Sequence, residues 1–268
     1  MSEFTKRAIT GAVYVALTLG AAVIGPWTTF LLFLPVSVVG AREWHRLYHP
    51  GQETAPGQIQ SMVLAGLSYV AWGVAVTALD IRAVHSTAVV LFLLIALAFD
   101  LMRRGAADPA RVFAGYLTTV AYIALPFACA VAMVHQHWHL FLGFMFLLWT
   151  SDTGAYLVGR AIGRHKLMPM VSPGKTWEGL AGGVGLTMLV GYLLARNWTE
   201  LSAKQWMLAA AVVAITATLG DLLESAFKRA RGMKDSGNVL PGHGGILDRF
   251  DGFLLAAPAM WVVVRFYG

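Results

Sequence analysis

Residues 205–229 read QWMLAAAVVAITATLGDLLESAFKR, an apolar run that ends in charge. Crossing the hydrocarbon of a bilayer takes about 20 mostly apolar residues in one helix. If this stretch is one helix, Asp221, Ser225 and Lys228 stand at i, i+4 and i+7 and share a face. Ionisable side chains at the end of a transmembrane helix are costly unless they line a polar cavity. One segment thus raises two questions: how many spans surround it, and what its polar end does.

Apolar residues make up 57% of the 268, only 13% are charged, and the mean hydropathy is +0.64. A soluble domain runs closer to about 45–50% apolar with about 25% charged residues. The expected fold is therefore all-α: a polytopic membrane protein with about nine transmembrane helices, forming a single integral membrane domain over residues 1–268. The candidate spans fall at roughly 8–24, 27–40, 61–78, 87–101, 112–134, 139–158, 178–195, 205–227 and 251–267. The second is short, and Gly25-Pro26 before it leaves room only for a tight hairpin. Lys6 and Arg7 before the first run imitate a signal peptide, but the run is read as a retained helix.

Loop charge tests the count. With nine spans and an inside N-terminus, the inside regions are 1–7, 41–60, 102–111, 159–177 and 228–250. They hold about 16 of the 20 Lys and Arg, a strong positive-inside bias. The basic balance, pI about 9.6, is thereby explained by topology and contact with anionic lipid, and no nucleic acid is implied. The single cysteine, Cys129, excludes an intramolecular disulfide and a C-x-x-C metal site, and is expected to be a small buried hydrophobe. The tryptophans, mostly near span ends, fit an aromatic belt.

Two inside loops hold most of the polar residues capable of chemistry. After Phe227 come Lys228-Arg229, Lys234-Asp235-Ser236-Gly237-Asn238, Pro241-Gly242-His243-Gly244-Gly245 and Asp248-Arg249-Phe250-Asp251. The glycines, Gly244 and Gly245 among them, let backbone N–H groups approach a phosphate closely. Lys228, Arg229, Lys234 and Arg249 supply cations for phosphoryl oxygens. Asp221 and Asp248, with Asp251 or Asp235 as further donors, offer hard oxygen ligands suited to Mg²⁺. Carboxylates, cations and glycines interleaved over about thirty residues at a membrane face point to phosphate-and-metal chemistry.

The same run, from Ser225 to Asp251, resembles the signature of the phosphatidate cytidylyltransferases, or CDP-diglyceride synthases. A second block agrees: Ser151-Asp152-Thr153-Gly154-Ala155-Tyr156, Gly159-Arg160, Gly163-Arg164-His165-Lys166-Leu167 and Ser172-Pro173-Gly174-Lys175-Thr176-Trp177-Glu178-Gly179. The resemblance is specific over roughly residues 149–251, so 149–268 is expected to be the catalytic half and 1–148 mainly a helix scaffold. It implies the reaction of CTP with phosphatidic acid to give CDP-diacylglycerol and pyrophosphate. It also implies Mg²⁺, with a second metal ion in a paired centre, and a homodimer. Asp221 and Asp248 are then the metal ligands. Asp152, after the apolar run ending at Trp149-Thr150, suggests a metal or cytidine contact, against a helix-end hydrogen-bond partner. Short loops without an organelle-targeting segment look like a bacterial inner-membrane protein, with its active-site loops cytoplasmic.

Individual roles follow the same lines. Ser225, one turn after Asp221, is placed to add a hydroxyl ligand or bond a phosphate, against back-bonding to a helix carbonyl. Lys228 and Arg249 are candidates for lipid or nucleotide phosphate, against snorkelling cations. Lys234 and Asp235 belong either to phosphate binding or to an ion pair ordering the loop. His243, between glycines, is a hydrogen-bond donor to a phosphate or a proton shuttle, against a turn histidine. Lys175 precedes Thr176, a plausible N-cap for a helix starting near Trp177, and a phosphate held between that helix start and Lys175 is physically reasonable, against a headgroup anchor. His135, His137 and His139 form an H-x-H-x-H cluster that faces outside on this topology and is read as an interfacial turn. Two rivals stand. A CTP-dependent polyprenol or dolichol kinase would not be expected to carry the full Lys234–Asp251 run. A transporter of a phosphorylated solute predicts inverted repeats and charges at the midplane. A CDP-alcohol phosphotransferase is disfavoured because the D-G-x-x-A-R arrangement is absent around Asp251-Gly252.

Overall fold

The quoted stretch lies inside one helix, Ala203–Ala230, started by a capping box in which Ser202 and Gln205 satisfy each other's backbone N–H groups. A computed structural model of the chain describes residues 3–48, 55–77, 83–104, 108–237, 239 and 244–267. Its helices are α1 (Glu3–Ile24), α2 (Pro26–Tyr48), α3 (Ala55–Thr77), α4 (Ala83–Arg104), α5 (Pro109–Thr118), α6 (Leu125–Gln136), α7 (Trp138–Ile162), α8 (Trp177–Asn197), α9 (Ala203–Ala230) and α10 (Leu247–Tyr267). Among the described residues, five stretches are long and apolar enough to cross a bilayer: Gly57–Val76, Pro109–Gln136, Trp138–Ile162, Trp177–Asn197 and Ala203–Ala230. The chain is an all-α integral membrane protein in class, as its composition requires. Large apolar side chains on the outer faces of the helices, such as Phe92, Phe99, Leu189 and Leu193, remain exposed, as they do where the solvent is lipid.

The fold departs from the sequence reading in three places. α2 continues eight residues past Gly40, through Arg42, Glu43 and Arg46, because that end is packed and not solvated: Glu43, Trp44, His45 and Leu47 are all buried. A π-turn, Thr119–Ala124, interrupts the helix between α5 and α6. Pro126 has no N–H to offer Tyr122, and Leu125 N–H reaches back to Val120 O, so the wider turn absorbs the missing bond. The loop at 163–176 contains a two-stranded antiparallel hairpin, β1 (Lys166–Met168) and β2 (Ser172–Thr176), pairing Lys166 with Thr176 and Met168 with Ser172. The aromatic belt is also only partial: Trp27 and Trp177 are exposed, but Trp44 and Trp206 are core residues. Cys129 is buried, as expected.

The chain divides into two compact units. The first comprises Met1–His135 and Asp235–Arg249. Its core joins Leu64, Val90, Tyr116 and Val120 across α3, α4, α5 and the π-turn. Phe30 stacks on Tyr69 at 5.2 Å, and the Tyr69 hydroxyl donates to the Phe30 carbonyl at 2.8 Å, which satisfies a polar tip inside an apolar core. The second unit comprises Gln136–Lys234 and Phe250–Gly268. There α8 lies against α7 and α9 through small residues, as membrane helices do when close backbone approach supplies the packing. A Cβ at Gly179 would stand 2.8 Å from the Ala155 carbonyl oxygen, so that contact needs glycine.

Candidate active site

Three helices and the hairpin of the second unit converge on one cavity of about 370 Å³. Asp152 and Arg160 from α7, Ser172 and Lys175 from β2, Thr176 before α8, and Thr218 and Asp221 from α9 all line it. β2 runs straight into α8, where Thr176 caps the helix by accepting the Gly179 N–H at 3.1 Å. The N-cap expected at Thr176 is therefore present. Glu178, in the first turn, accepts the backbone N–H of Arg164 (3.1 Å) and of His165 (3.2 Å) and the His165 ring Nδ1 (2.6 Å), which ties the loop before the hairpin to the helix start. This arrangement fixes the strand that carries Lys175.

Lys175 Nζ lies 2.6 Å from Asp221 Oδ2 and donates to the Thr218 carbonyl at 3.5 Å. Ser225 donates its hydroxyl to the other carboxylate oxygen, Asp221 Oδ1, at 3.2 Å, and not to a helix carbonyl. Both members of the ion pair stay partly open, with side chains 25% and 31% exposed. Asp152 is within electrostatic reach of Lys175 and Asp221, and Asp251 within reach of Asp221, Asp152 and Lys228. Three carboxylates thus share one electrostatic neighbourhood with two lysines. Lys228, seven residues past Asp221, is mostly buried and pairs with the fully buried Glu224 at 3.2 Å.

The other motif residues form a second constellation, inside the first unit. Asp248 Oδ2 accepts the Ser236 N–H (2.9 Å), the Ser236 hydroxyl (3.0 Å) and the Gly245 N–H (2.7 Å). Beside it Glu43, 2% exposed, takes the Ile246 N–H on Oε1 at 3.0 Å and the Leu247 N–H on Oε2 at 2.9 Å. It thereby caps the start of α10 from α2, a charge well placed against the helix dipole. The Ser236 hydroxyl also lies 3.1 Å from Glu43 Oε2. Gly244 adopts φ +79°, open to glycine at little cost, and a Cβ at Gly245 would collide with Ser236 Oγ and Glu43. Here the glycines admit carboxylates. Asp235, Lys234 and Arg249 are exposed. His243 lies outside the described residues.

Glu43 escaped the sequence reading, which ended the second span at Gly40. A signal was available: Phe33, Ser37, Gly40, Trp44 and Leu47 keep a helical 3–4 spacing across that boundary, with Glu43 beside them, and all are buried. Far from the cavity, at the N-terminal end of α7, His137 and His139 meet Glu200 from the loop between α8 and α9. Burial would raise the Glu200 carboxyl, but the His139 hydrogen bond, a backbone hydrogen bond and the nearby His charges hold it below the usual range. His135 is exposed.

An integral membrane bundle with acidic and basic side chains around one cavity can hold a phosphate together with a cation. The model of the cytidylyltransferase family matches residues 5–267, and the chain belongs to that family. Among curated proteins it is 41% identical over 150 residues to the phosphatidate cytidylyltransferases of Staphylococcus haemolyticus (strain JCSC1435) and Staphylococcus epidermidis (strain ATCC 12228 / FDA PCI 1200). It is 40% identical over 150 residues to that of Staphylococcus aureus (strain COL). Each match covers 55% of this chain and 57% of the relative.

Proposed function

We propose that the chain is a phosphatidate cytidylyltransferase, transferring the cytidylyl group of CTP to phosphatidic acid in phospholipid biosynthesis. The observation that carries this reading is the Asp152–Lys175–Asp221 cavity, in a chain of the cytidylyltransferase family. A phosphate oxygen of the lipid attacks the α-phosphorus of CTP, the bond to the β-phosphate breaks, and pyrophosphate leaves with the electron pair. No covalent enzyme intermediate is required, because positioning and charge neutralisation supply most of the catalysis at phosphorus.

The donor set fits a hard cation. Mg²⁺ is commonly held by one or two carboxylates plus substrate phosphates, and Asp221 with Asp152 offers such oxygens in the second unit. Asp248, in the glycine-rich loop, is proposed as a further metal-binding carboxylate, which allows for a second ion. When bound, the metal neutralises charge on phosphate oxygens and on the leaving pyrophosphate. Lys175 neutralises Asp221 in its absence and turns to a phosphate oxygen when substrate enters. Ser225 orients the Asp221 carboxylate. Lys228, Arg249 and His243 are proposed as phosphate contacts, and Lys234, Asp235, Gly244 and Gly245 as parts of the phosphate-binding loop. The reading extends to nine crossings, a bacterial inner membrane, a cytoplasmic N-terminus and cytoplasmic active-site loops, with the catalytic half at 149–268 and a homodimeric assembly.

The test is an assay in detergent micelles with labelled CTP, phosphatidic acid and Mg²⁺, comparing the native chain with Asp221→Asn. Mg²⁺-dependent CDP-diacylglycerol, lost in a variant that still folds, supports the proposal. Label transferred from the γ-phosphate to a polyprenol, with no CDP-diacylglycerol, replaces it with a lipid-alcohol kinase.

A further inference from the structure

The loop between α8 and α9 and the first residues of α7 bring together two histidines and a glutamate that the transfer reaction does not use. Among the described residues, His137, His139 and Glu200 are the one set of three potential metal ligands whose donor atoms all lie within 4.8 Å of one another. They sit where α7 and α9 begin and α8 ends. The cavity lies toward the other end of these helices; Asp152 is fourteen residues from Trp138, about 21 Å along α7.

The hydrogen bonding among the three groups is incomplete in a way that points to a cation. His137 Nδ1 accepts the His139 backbone N–H at 3.3 Å, which places a lone pair on that nitrogen. The same nitrogen lies 3.1 Å from Glu200 Oε1, which also carries only lone pairs. Two acceptors at this distance repel unless a positive centre intervenes. His139 Nδ1 lies 2.5 Å from the same Oε1. Glu200 Oε2 is buried and has no hydrogen-bond partner, a state that costs about 1–3 kcal/mol for a polar group and more for a charged one. Trp198 stacks on the His139 ring at 4.5 Å with an interplanar angle of 7°, which fixes the orientation of the imidazole.

We propose that His137, His139 and Glu200 bind one divalent transition-metal ion, Zn²⁺ by the borderline character of two imidazoles and a carboxylate. Tetrahedral zinc with ligands at about 2.0–2.2 Å spaces its donors about 3.3–3.5 Å apart. The His137–Glu200 pair is near that spacing, with the one lone pair of His137 Nδ1 turning from the His139 N–H to the ion, and the His139–Glu200 pair must open by under about 1 Å to reach it. The fourth position is taken by water. The ion fastens the Trp198–Leu201 loop to the start of α7, a structural staple at the end of the bundle away from the chemistry.

The test uses the full chain in detergent, with any affinity tag removed and the protein stripped by chelator, titrated with Co²⁺ and then with competing Zn²⁺. The expected result is one equivalent of Co²⁺ with the visible bands of a four-coordinate ion, displaced by Zn²⁺. His137→Ala, at a half-exposed position, and Glu200→Gln should each weaken binding at least about tenfold. Asp221→Asn should keep the same spectrum, which separates this site from the cavity. Zinc should raise the melting temperature of the native chain and not of His137→Ala. Absence of the four-coordinate bands, or affinity unchanged in both His137→Ala and Glu200→Gln, would overturn the proposal and leave a protonated histidine–glutamate pair.

Discussion

The two constellations of acidic residues use their carboxylates in opposite ways. In the second unit, Asp221 meets side chains: the Lys175 ammonium on one oxygen and the Ser225 hydroxyl on the other, at the wall of an open cavity. In the first unit, Glu43 and Asp248 meet mainly backbone N–H groups, in a tight glycine-rich turn. A carboxylate balanced by a partly exposed lysine can exchange that partner for a metal ion, which frees the lysine for a phosphate. A buried carboxylate that satisfies several main-chain donors cannot leave without orphaning them. The first arrangement leaves a carboxylate available to a ligand, and the second ties it to the shape of a loop.

The largest effect is expected at the cavity. Asp221→Asn keeps size and the Ser225 contact but removes the charge, and should lower kcat by about 10²–10³ while far-UV circular dichroism and the melting temperature stay close to native. Lys175→Ala should lose a similar factor. The double variant should fall well short of the product of the two losses, since both changes remove one pair. Additive losses would break the comparison by showing that the two residues act separately.

Glu43→Gln should act on stability first. It keeps the shape of a side chain that is 2% exposed but replaces one acceptor by a donor facing the N–H groups of Ile246 and Leu247. A loss of about 2–4 kcal/mol is expected, read by chemical unfolding, with faster amide exchange confined to residues 235–249. A loss of activity with unchanged unfolding would move Glu43 from the loop to the chemistry. Gly245→Ala should cost about 1–3 kcal/mol, because its Cβ has no space beside Ser236 and Glu43.

The two regions also differed in how far sequence could reveal them. Asp152 and Asp221 lie inside α7 and α9, but each follows an apolar run in which a charge is conspicuous, and Lys175 and the N-cap at Thr176 needed only local chemistry. Helix positions were legible for the same reason, since apolar length is a local property. Glu43 was not, because its partners are about two hundred residues away and its flanks, Arg42 and Arg46, read as the solvated edge of a span. Glu224, 0% exposed and paired with Lys228, was hidden likewise by its place in a charged helix end. The His137–His139 pair was visible as a motif, but Glu200 joins it through a turn that periodicity does not encode.

Ser236→Ala is the smallest change and the one that best divides the roles of Asp248. The Ser236 hydroxyl has one proton and two carboxylate oxygens within reach, Asp248 Oδ2 at 3.0 Å and Glu43 Oε2 at 3.1 Å, so it satisfies one fully and the other in part. Its removal leaves Asp248 Oδ2 with the two backbone donors of Ser236 and Gly245 and costs about 1 kcal/mol in unfolding. If Asp248 only shapes the loop, Asp248→Asn should lower stability and activity together, in the same proportion as Ser236→Ala. If Asp248 also binds metal, Asp248→Asn should lose far more activity than its stability cost accounts for, and raising the Mg²⁺ concentration should rescue Ser236→Ala but not Asp248→Asn. The ratio of the activity loss to the stability loss in these two variants therefore places Asp248 with Glu43 or with Asp221.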